Sequence, residues 1–389
     1  MNIAFDAKRV FTNGTGLGHY SRTLVSSLCE YFPMHEYFLC SPKITNRFDA
    51  SVYDNLHVVT PQHFPSSFLT AAWRSSWVKN DLEQMNIDIY HGLSHEIPVG
   101  ISQKKIKTVV TIHDLIFERY PQQYSWIDVM IYRKKFKYAC NYADRIIAIS
   151  EQTKNDIIEF YKIDESKIDV CYQSCNAAFN DVVSDVEKKK IKDLYNLPEN
   201  FFLYVGSLIE RKNLLTICKA LKVLKNKIFY PLVVIGDGGS YKKLVKKYIA
   251  ENDLTENIIF LSEMDYAKNN DNFKTAKDFP AIYSQAICMI YPSTFEGFGI
   301  PVLESLCAGT PVITSNISSL PEAGGDAAFY INPLNEKQLA EVMKLIAENV
   351  SLRKELIAKG FRHAANFSRE KCAIKVMKVY EQLKATDES

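Results

Sequence analysis

The chain has 389 residues, 47% hydrophobic and 24% charged, and its 47 Lys and Arg nearly cancel its 45 Asp and Glu to leave a net charge of +2. That is enough chain for two domains of roughly 190 residues, each able to bury a core, and the composition excludes a disordered or fibrous protein. The even charge excludes the concentrated basic footprint of a nucleic-acid binder, and no run approaches the ~18 apolar residues of a membrane-spanning helix.

From the N-terminus, strands are predicted at Asn2–Asp6, Tyr37–Cys40, Ile87–Tyr90, Lys107–Ile112, Arg145–Ile149 and Ile168–Cys171, with helices such as His19–Tyr31 and Ser125–Tyr142 between them. The opening segment reads as a strand, not as a charged and apolar leader. The same alternation resumes with strands at Phe201–Val205, Pro231–Ile235, Ile258–Leu261, Ala286–Tyr291 and Pro311–Thr314, and a helix at Glu341–Ala358. Continuous apolar strands alternating with helices imply parallel sheets covered on both faces, hence an α/β chain of two doubly wound domains. The predicted domains are 1–180 and 181–389, with a last helix at about 368–385 able to cross back to the first. The charged run Asp185–Lys190 beside the boundary reads as a solvated helix face or linker. The polar segment Asp265–Asp278 lacks periodicity and reads as an exposed loop insertion. The nine cysteines are scattered, and Cys171 with Cys175 has no second pair at ligand spacing. They read as buried, reduced thiols of a reducing compartment.

Doubly wound domains bind ligands beyond the carboxyl ends of their strands. The richest such segment is Tyr291-Pro-Ser-Thr-Phe-Glu-Gly-Phe-Gly-Ile-Pro-Val-Leu-Glu304. A buried strand ends at Tyr291, a glycine-bearing loop follows, and Pro301 suits the first turn of a helix. Across Gly297, Phe298, Gly299 and Ile300 the glycines permit close backbone approach, and the helix start offers N–H groups to an anion. Glu304, placed in the first turn, can accept from both hydroxyls of a ribose or merely complement the helix dipole. Glu296, on the loop, faces whatever the phosphates carry.

These two glutamates, with seven residues between them, resemble the E-x7-E signature of retaining glycosyltransferases of the family-four type. The similarity continues through Ser305–Asn316 and Ser319–Asp326. It implies a GT-B fold, two Rossmann-like domains facing across a cleft, with a nucleotide-sugar donor on the C-terminal domain and the acceptor on the N-terminal one. Arg211 and Lys212 lie in a segment similar to the family's G-x-x-x-x-R-K-N and would meet the charge of a departing diphosphate. Ser207 stands where some relatives carry a further Arg, which moves weight onto Lys212. Gly236, Asp237 and Gly238, otherwise a turn, are similar to the family's G-x-G segment near the nucleotide base. The polar insertion lies just beyond the strand where base contacts usually fall.

In the first half, Asn13–Tyr20 has G-x-G-x-G spacing and no acidic residue closes the second strand, so it fails the dinucleotide fingerprint. Its Gly16 and Gly18 resemble instead the family's glycine loop over the donor diphosphate. His113 and Asp114 end a strand and are similar to T-x-H-D, whose His lies near the transferred sugar. His91 and His95 are four apart without an E-x-x-H continuation. They read as a loop of the acceptor half, not as metal ligands. No D-x-D occurs, so neither metal nor other cofactor is expected. Trp126–Tyr138 interleaves basic and aromatic residues, as a membrane-surface contact does and as an ordinary partly exposed helix also does.

The resemblance thus implies a retaining, metal-independent glycosyltransferase, cytoplasmic or peripheral at the inner face of the cell membrane. Its donor sugar is a hexose, and the wider motif looks most like mannosyltransferases of surface-polysaccharide assembly. Its acceptor is a saccharide or a lipid-linked saccharide. The alternatives are another donor, such as UDP-glucose, UDP-N-acetylglucosamine or a deoxysugar nucleotide, or a non-catalytic sugar-nucleotide-binding protein.

Overall fold

Seven strands form the first sheet: β1 (Asn2–Asp6), β2 (Glu36–Cys40), β3 (Leu56–Val59), β4 (Ile89–Gly92), β5 (Lys107–Ile112), β6 (Arg145–Ala148) and β7 (Ile168–Val170). Six form the second: β8 (Phe202–Val205), β9 (Leu232–Ile235), β10 (Ile258–Phe260), β11 (Cys288–Tyr291), β12 (Val312–Ser315) and β13 (Ala328–Ile331). All pairs are parallel, in the orders β3-β2-β1-β4-β5-β6-β7 and β10-β9-β8-β11-β12-β13. β8, β9, β11 and β12 are buried at every residue, the mark of sheets covered on both faces. The computed structural model describes residues 1–61, 67–225 and 230–385.

The chain divides into two units, Met1–Ser174 joined by the segment from Phe367 onward, and Cys175–Asn366. Four helices carry the argument below: α1 (Gly16–Tyr31), α2 (Trp126–Tyr142), α3 (Ile300–Cys307) and α4 (Arg369–Ala385). α4 returns to the first unit. Arg369 donates to Ser27 Oγ at 3.1 Å and pairs with Glu30 at 2.8 Å, both on α1, while Lys384 pairs with Asp88 at 2.7 Å. All nine cysteines are free thiols, and only Cys307 is not buried.

Three expectations change. Asp265–Asp278 is not an exposed loop: it holds helical turns at Asp265–Lys268 and Asp271–Lys274, with Ala267 and Phe273 buried. Its end is anchored where buried Asp278 accepts from the Tyr195 hydroxyl. The helix expected at Glu341–Ala358 is two, Glu336–Glu348 and Val350–Ala364, because Asn349 leaves helical geometry and its side chain caps the second. β3 and β13 were not foreseen. Both are edge strands with partly exposed residues; His57 interrupts the apolar run of β3, whereas β13 is an unbroken apolar run, Ala328–Ile331, that the sequence reading passed over. The charged run at Asp185 opens a helix, Asp185–Tyr195, capped by Ser184 and anchored by buried Ile191 and Tyr195.

Candidate active site

Each sheet reverses its strand order once, between β1 and β4 and between β8 and β11, the switch points where doubly wound sheets hold ligands. Beyond β8, Glu210–Lys212 forms one tight turn, and Asn213, at φ 60°, turns the chain into the helix Leu214–Leu224. Asn213 fixes the turn: its Nδ2 donates to the Pro292 carbonyl at 3.1 Å and the Pro333 carbonyl at 2.7 Å, and its Oδ1 accepts from Thr216 at 2.8 Å. The Arg211 carbonyl accepts from the Thr294 amide at 2.8 Å. The loop after β8 is thereby fastened to the loop after β11. The Arg211 guanidinium donates to the Phe295 carbonyl and lies 2.8 Å from Glu296 Oε1.

Glu296 Oε1 also accepts from the Tyr291 hydroxyl at 2.8 Å and the Ser293 hydroxyl at 2.9 Å. Its backbone is held from the loop after β12, Ser318 Oγ accepting from its amide at 3.0 Å and Ser319 Oγ donating to its carbonyl at 2.8 Å. Burial acts to raise its carboxyl pKa, but Lys212, Arg211 and Tyr291 outweigh burial and hold it below the ordinary value. Lys212 is itself lowered, chiefly by burial, with Glu296 opposing and Arg211 adding repulsion. Its ammonium stands 5.4 Å from the centre of the Tyr291 ring. A side chain at Gly206 would meet the Lys212 Cδ at 3.2 Å, so glycine there admits the lysine across the strand end.

Glu304 was expected in the first helical turn. Gly299, at φ 113°, is the residue before the helix, so α3 begins at Ile300 and Glu304 is its fifth residue, at the start of the second turn. It accepts from the Tyr283 hydroxyl at 3.0 Å, and burial pushes its carboxyl up to about 7 against the pull of Tyr283 and Lys212. The helix start is also narrower as an anion site than expected. Pro301 has no amide hydrogen, and Val302 and Leu303 donate to the Gly299 carbonyl, which leaves the Ile300 amide. Gly297, Phe298 and Gly299 are buried, and the Phe298 carbonyl accepts from Ser319 at 2.9 Å.

Gly236 and Gly238 serve loop packing. A side chain on Gly236 would fall 1.9 Å from the Gly206 carbonyl, and one on Gly238 2.1 Å from that of Leu208. Asp237 between them is exposed, pairs with Lys242 at 2.5 Å, and is lowered chiefly by that contact.

In the first unit the structure brings His91, His95 and His113 together, the His95 and His113 rings 5.2 Å apart, but each is held by protein groups. His91 is not in a loop: it is the third residue of β4, buried, its Nδ1 meeting the Tyr380 hydroxyl at 2.5 Å and its Nε2 the Thr111 hydroxyl at 2.8 Å. Burial, then His113, push it down to about 3. With both nitrogens engaged by protein, it does not face an acceptor. His95 stacks 4.2 Å from Phe136 at 9° and is likewise held neutral by burial. His113 donates from Nε2 to the Leu93 carbonyl at 2.9 Å and is pushed down to about 4, mainly by burial. That bond fixes the tautomer, so in the neutral ring Nδ1 carries the lone pair. Asp114 Oδ1 accepts from the Ile116 amide at 3.1 Å, supporting the short helix that follows. Gly16 and Gly18 are not loop residues but lie in the first turn of α1. Gly18 is there because a side chain would sit 2.0 Å from the Asn13 carbonyl, while Gly16 faces open space.

Sequence reasoning brought together Glu296, Arg211, Lys212 and Glu304. It missed Asn213, Tyr283, Tyr291, Ser293, Ser318 and Ser319 as the groups that fix them. The signal for Asn213 was its place directly after the Arg-Lys pair.

The family model described as Glycosyl transferases group 1 matches residues 185–363, and that described as Glycosyltransferase Family 4 matches residues 15–178. The chain is 25% identical to O-antigen chain mannosyltransferase B of Escherichia coli, over 98% of this chain and 100% of that protein. It is 27% identical to O-antigen chain mannosyltransferase RfbU of Salmonella typhimurium, over 87% of this chain and 89% of that protein. Among solved structures, Anabaena HepE in complex with UDP-glucose is 16% identical and shares the fold, with a TM-score of 0.73 over 99% of this chain and 100% of that one. No described helix is long and apolar enough to cross a membrane.

Proposed function

The chain belongs to the group 1 and family 4 glycosyltransferases, and from that premise we propose that it moves a hexose, mannose in our reading, from a nucleotide-sugar donor to a saccharide or lipid-linked saccharide. The transfer retains the anomeric configuration and needs no metal. Mannose is supported by the names of the two relatives, and a nucleotide-sugar donor by the UDP-glucose bound in HepE. The observation that carries the reading is the largely buried charge cluster at the second switch point: Glu296, with Oε1 committed to Arg211, Tyr291 and Ser293, beside the ammonium of Lys212.

As the bond between sugar and phosphate breaks, charge grows on the diphosphate, and Lys212 meets it in surroundings drier than water. Arg211 serves first to orient Glu296, whose Oε2 accepts from a sugar hydroxyl. Glu304 takes the ribose hydroxyls and must be ionised to accept from both. His113 accepts a sugar hydroxyl at Nδ1. The leaving phosphate oxygen takes the proton of the acceptor hydroxyl on the same face, so the new bond replaces the old without a protein nucleophile.

The test is a panel of sugar nucleotides, first by thermal shift and then by transfer, with the product anomer read by NMR in the presence of chelator. Stabilisation by one nucleotide-sugar and a retained product are expected. Stabilisation by none, an inverted anomer, or activity lost to chelator and restored by Mg²⁺ would each overturn the corresponding claim.

A further inference from the structure

The second unit holds a pair of thiols that the transfer step leaves unused. Cys307 is the last residue of α3, three residues beyond Glu304, and it is the one cysteine that reaches solvent. Cys175 is buried between β7 and the tight turn Ala177–Asn180, and its thiol donates to Cys307 Sγ at 3.5 Å.

Both ends of this contact bear on Glu304. Cys307 shares its helix, about one turn away. Four residues after Cys175, the Phe179 ring meets the Tyr283 ring edge-on at 5.2 Å, and the Tyr283 hydroxyl donates to Glu304 at 3.0 Å. The turn that carries Phe179 is itself fixed, because the Asn176 side chain accepts from the Ala178 amide at 3.0 Å. The sulfurs thus join the helix that carries Glu304 to the segment that backs its hydrogen-bond donor.

The two thiols differ in readiness to react. The bond to Cys307, then burial, then the charges of Cys307 and Glu304, raise the Cys175 thiol above its ordinary value, so it stays protonated. The thiolate is the nucleophile, and access decides which sulfur meets an oxidant. Cys307 is therefore the attacking group and Cys175 the resolving one. A lone buried thiol is a small inert hydrophobe. An accessible sulfur touching a second one is the arrangement of redox-sensing cysteines.

We propose that Cys175 and Cys307 form a reversible oxidation site for hydroperoxides, and that their disulfide weakens nucleotide binding by displacing Glu304. The second clause rests on the ribose role given to Glu304 above, whereas the first does not. In the first step the Cys307 thiolate attacks one peroxide oxygen and the O–O bond breaks. The sulfur becomes a sulfenic acid, and the other oxygen leaves and takes up a proton. In the second step Cys175 attacks that sulfur, the S–O bond breaks, and the departing hydroxide takes the Cys175 proton as water. Two thiols are oxidised and one peroxide is reduced. Closure brings sulfurs that stand 3.5 Å apart to a bonding distance of about 2.05 Å, and the difference is taken up by the end of α3 and the Cys175 segment. Exchange with a dithiol reopens the bond.

The experiment treats the full chain with hydrogen peroxide, alkylates the remaining thiols in denaturant, and maps chymotryptic peptides by mass spectrometry. Cleavage at Tyr172 separates Cys175 from Cys171, and cleavage at Tyr291 separates Cys307 from Cys288. A Cys175–Cys307 cross-link, opened by dithiothreitol, is expected in the parent, and that result needs no variant. Cys175→Ser should stop at a Cys307 sulfenic acid that dimedone traps, and Cys307→Ser should leave Cys175 a free thiol. Whichever of UDP and GDP the reduced chain binds should bind the oxidised chain roughly tenfold more weakly, the scale of one displaced charge-assisted hydrogen bond. Dithiothreitol should restore the affinity. Peroxide that leaves both thiols free, or that oxidises Cys307 without a cross-link, would overturn the site. An oxidised chain that binds the nucleotide as the reduced one does would overturn the link to Glu304. A chain that forms the disulfide yet binds neither nucleotide in either state loses the donor reading instead, and the oxidation site stands.

Discussion

At the second switch point Glu296 sits between Arg211 and Lys212 and stays ionised, while at the carboxyl ends of β4 and β5 His91, His95 and His113 are buried and stay neutral. Both regions remove titratable groups from water beyond the ends of parallel strands. They differ in what meets the group. Glu296 has two cations and two hydroxyls, so its charge survives burial. The histidines have hydroxyls, a carbonyl and rings, so losing the proton is the cheaper course. The comparison teaches that one architecture can supply fixed charge from one sheet and uncharged hydrogen-bonding groups from the other.

The largest effect comes from leaving Glu296 without its guanidinium. Arg211 and Glu296 side chains are only 10% and 12% exposed, so Arg211→Met should cost about 3–5 kcal/mol, the range for a buried charge deprived of its partner. Hydrogen exchange across β11 and α3 would register it. Protection equal to the parent's would mean that the pair contributes little to the fold.

Next, Glu304→Ala should weaken nucleotide binding by roughly 1–3 kcal/mol, for lost charge-assisted hydrogen bonds. Unchanged affinity in a calorimetric titration would remove the ribose role.

The same residue gives a pH signature. Burial pushes the Glu304 carboxyl up to about 7, and the proposed ribose role needs it ionised, so binding should expel a proton. Affinity should rise about tenfold from about pH 6 to about pH 8, and Glu304→Gln should flatten the profile. A profile unaffected by the substitution would assign the titration elsewhere.

On the neutral side, His91 lies at about 3 when folded against 6.5 when unfolded. The unfolded chain therefore binds the extra proton between these values. The stabilisation is complete above the unfolded value and is lost as pH falls below it. His91→Phe should make the acid loss of stability shallower by about 1.4 kcal/mol per pH unit within that window. All three tryptophans, Trp73, Trp77 and Trp126, lie in the first unit, so their fluorescence in urea reports this unit alone. An unchanged slope would show that His91 is not held neutral.

Most strand positions were legible because apolar runs and strand-end glycines are local signals, whereas the order of the strands in each sheet was not read. The Glu296–Glu304 segment and the Arg211–Lys212 pair were legible for the same reason. What escaped depended on distant or subtle geometry. His91 belongs to the core because Tyr380 reaches it from α4, 289 residues later. Glu304 moved to the second turn because Gly299 adopts a left-handed conformation before the helix. Gly16 and Gly18 sit in a helix because Asn13 Oδ1 gathers the Thr15 and Gly18 amides, at 2.7 and 3.2 Å, into its first turn. The Asp6–Arg74–Glu96 network joins residues from three separate segments, one of them a π-turn with no signature in composition.

The central claim is that Lys212 acts on charge that develops at the leaving diphosphate. It is tested most directly by single-turnover transfer with Lys212→Ala at saturating donor, alongside equilibrium donor binding. The rate should fall by roughly 10²–10³, the range for removing one preorganised electrostatic group. Donor affinity should fall less, because only interactions stronger in the transition state raise the rate of the step, and Lys212→Arg should restore the rate only in part. A variant that binds donor poorly yet transfers at the parental rate once saturated would contradict the account, leaving Lys212 a ground-state contact.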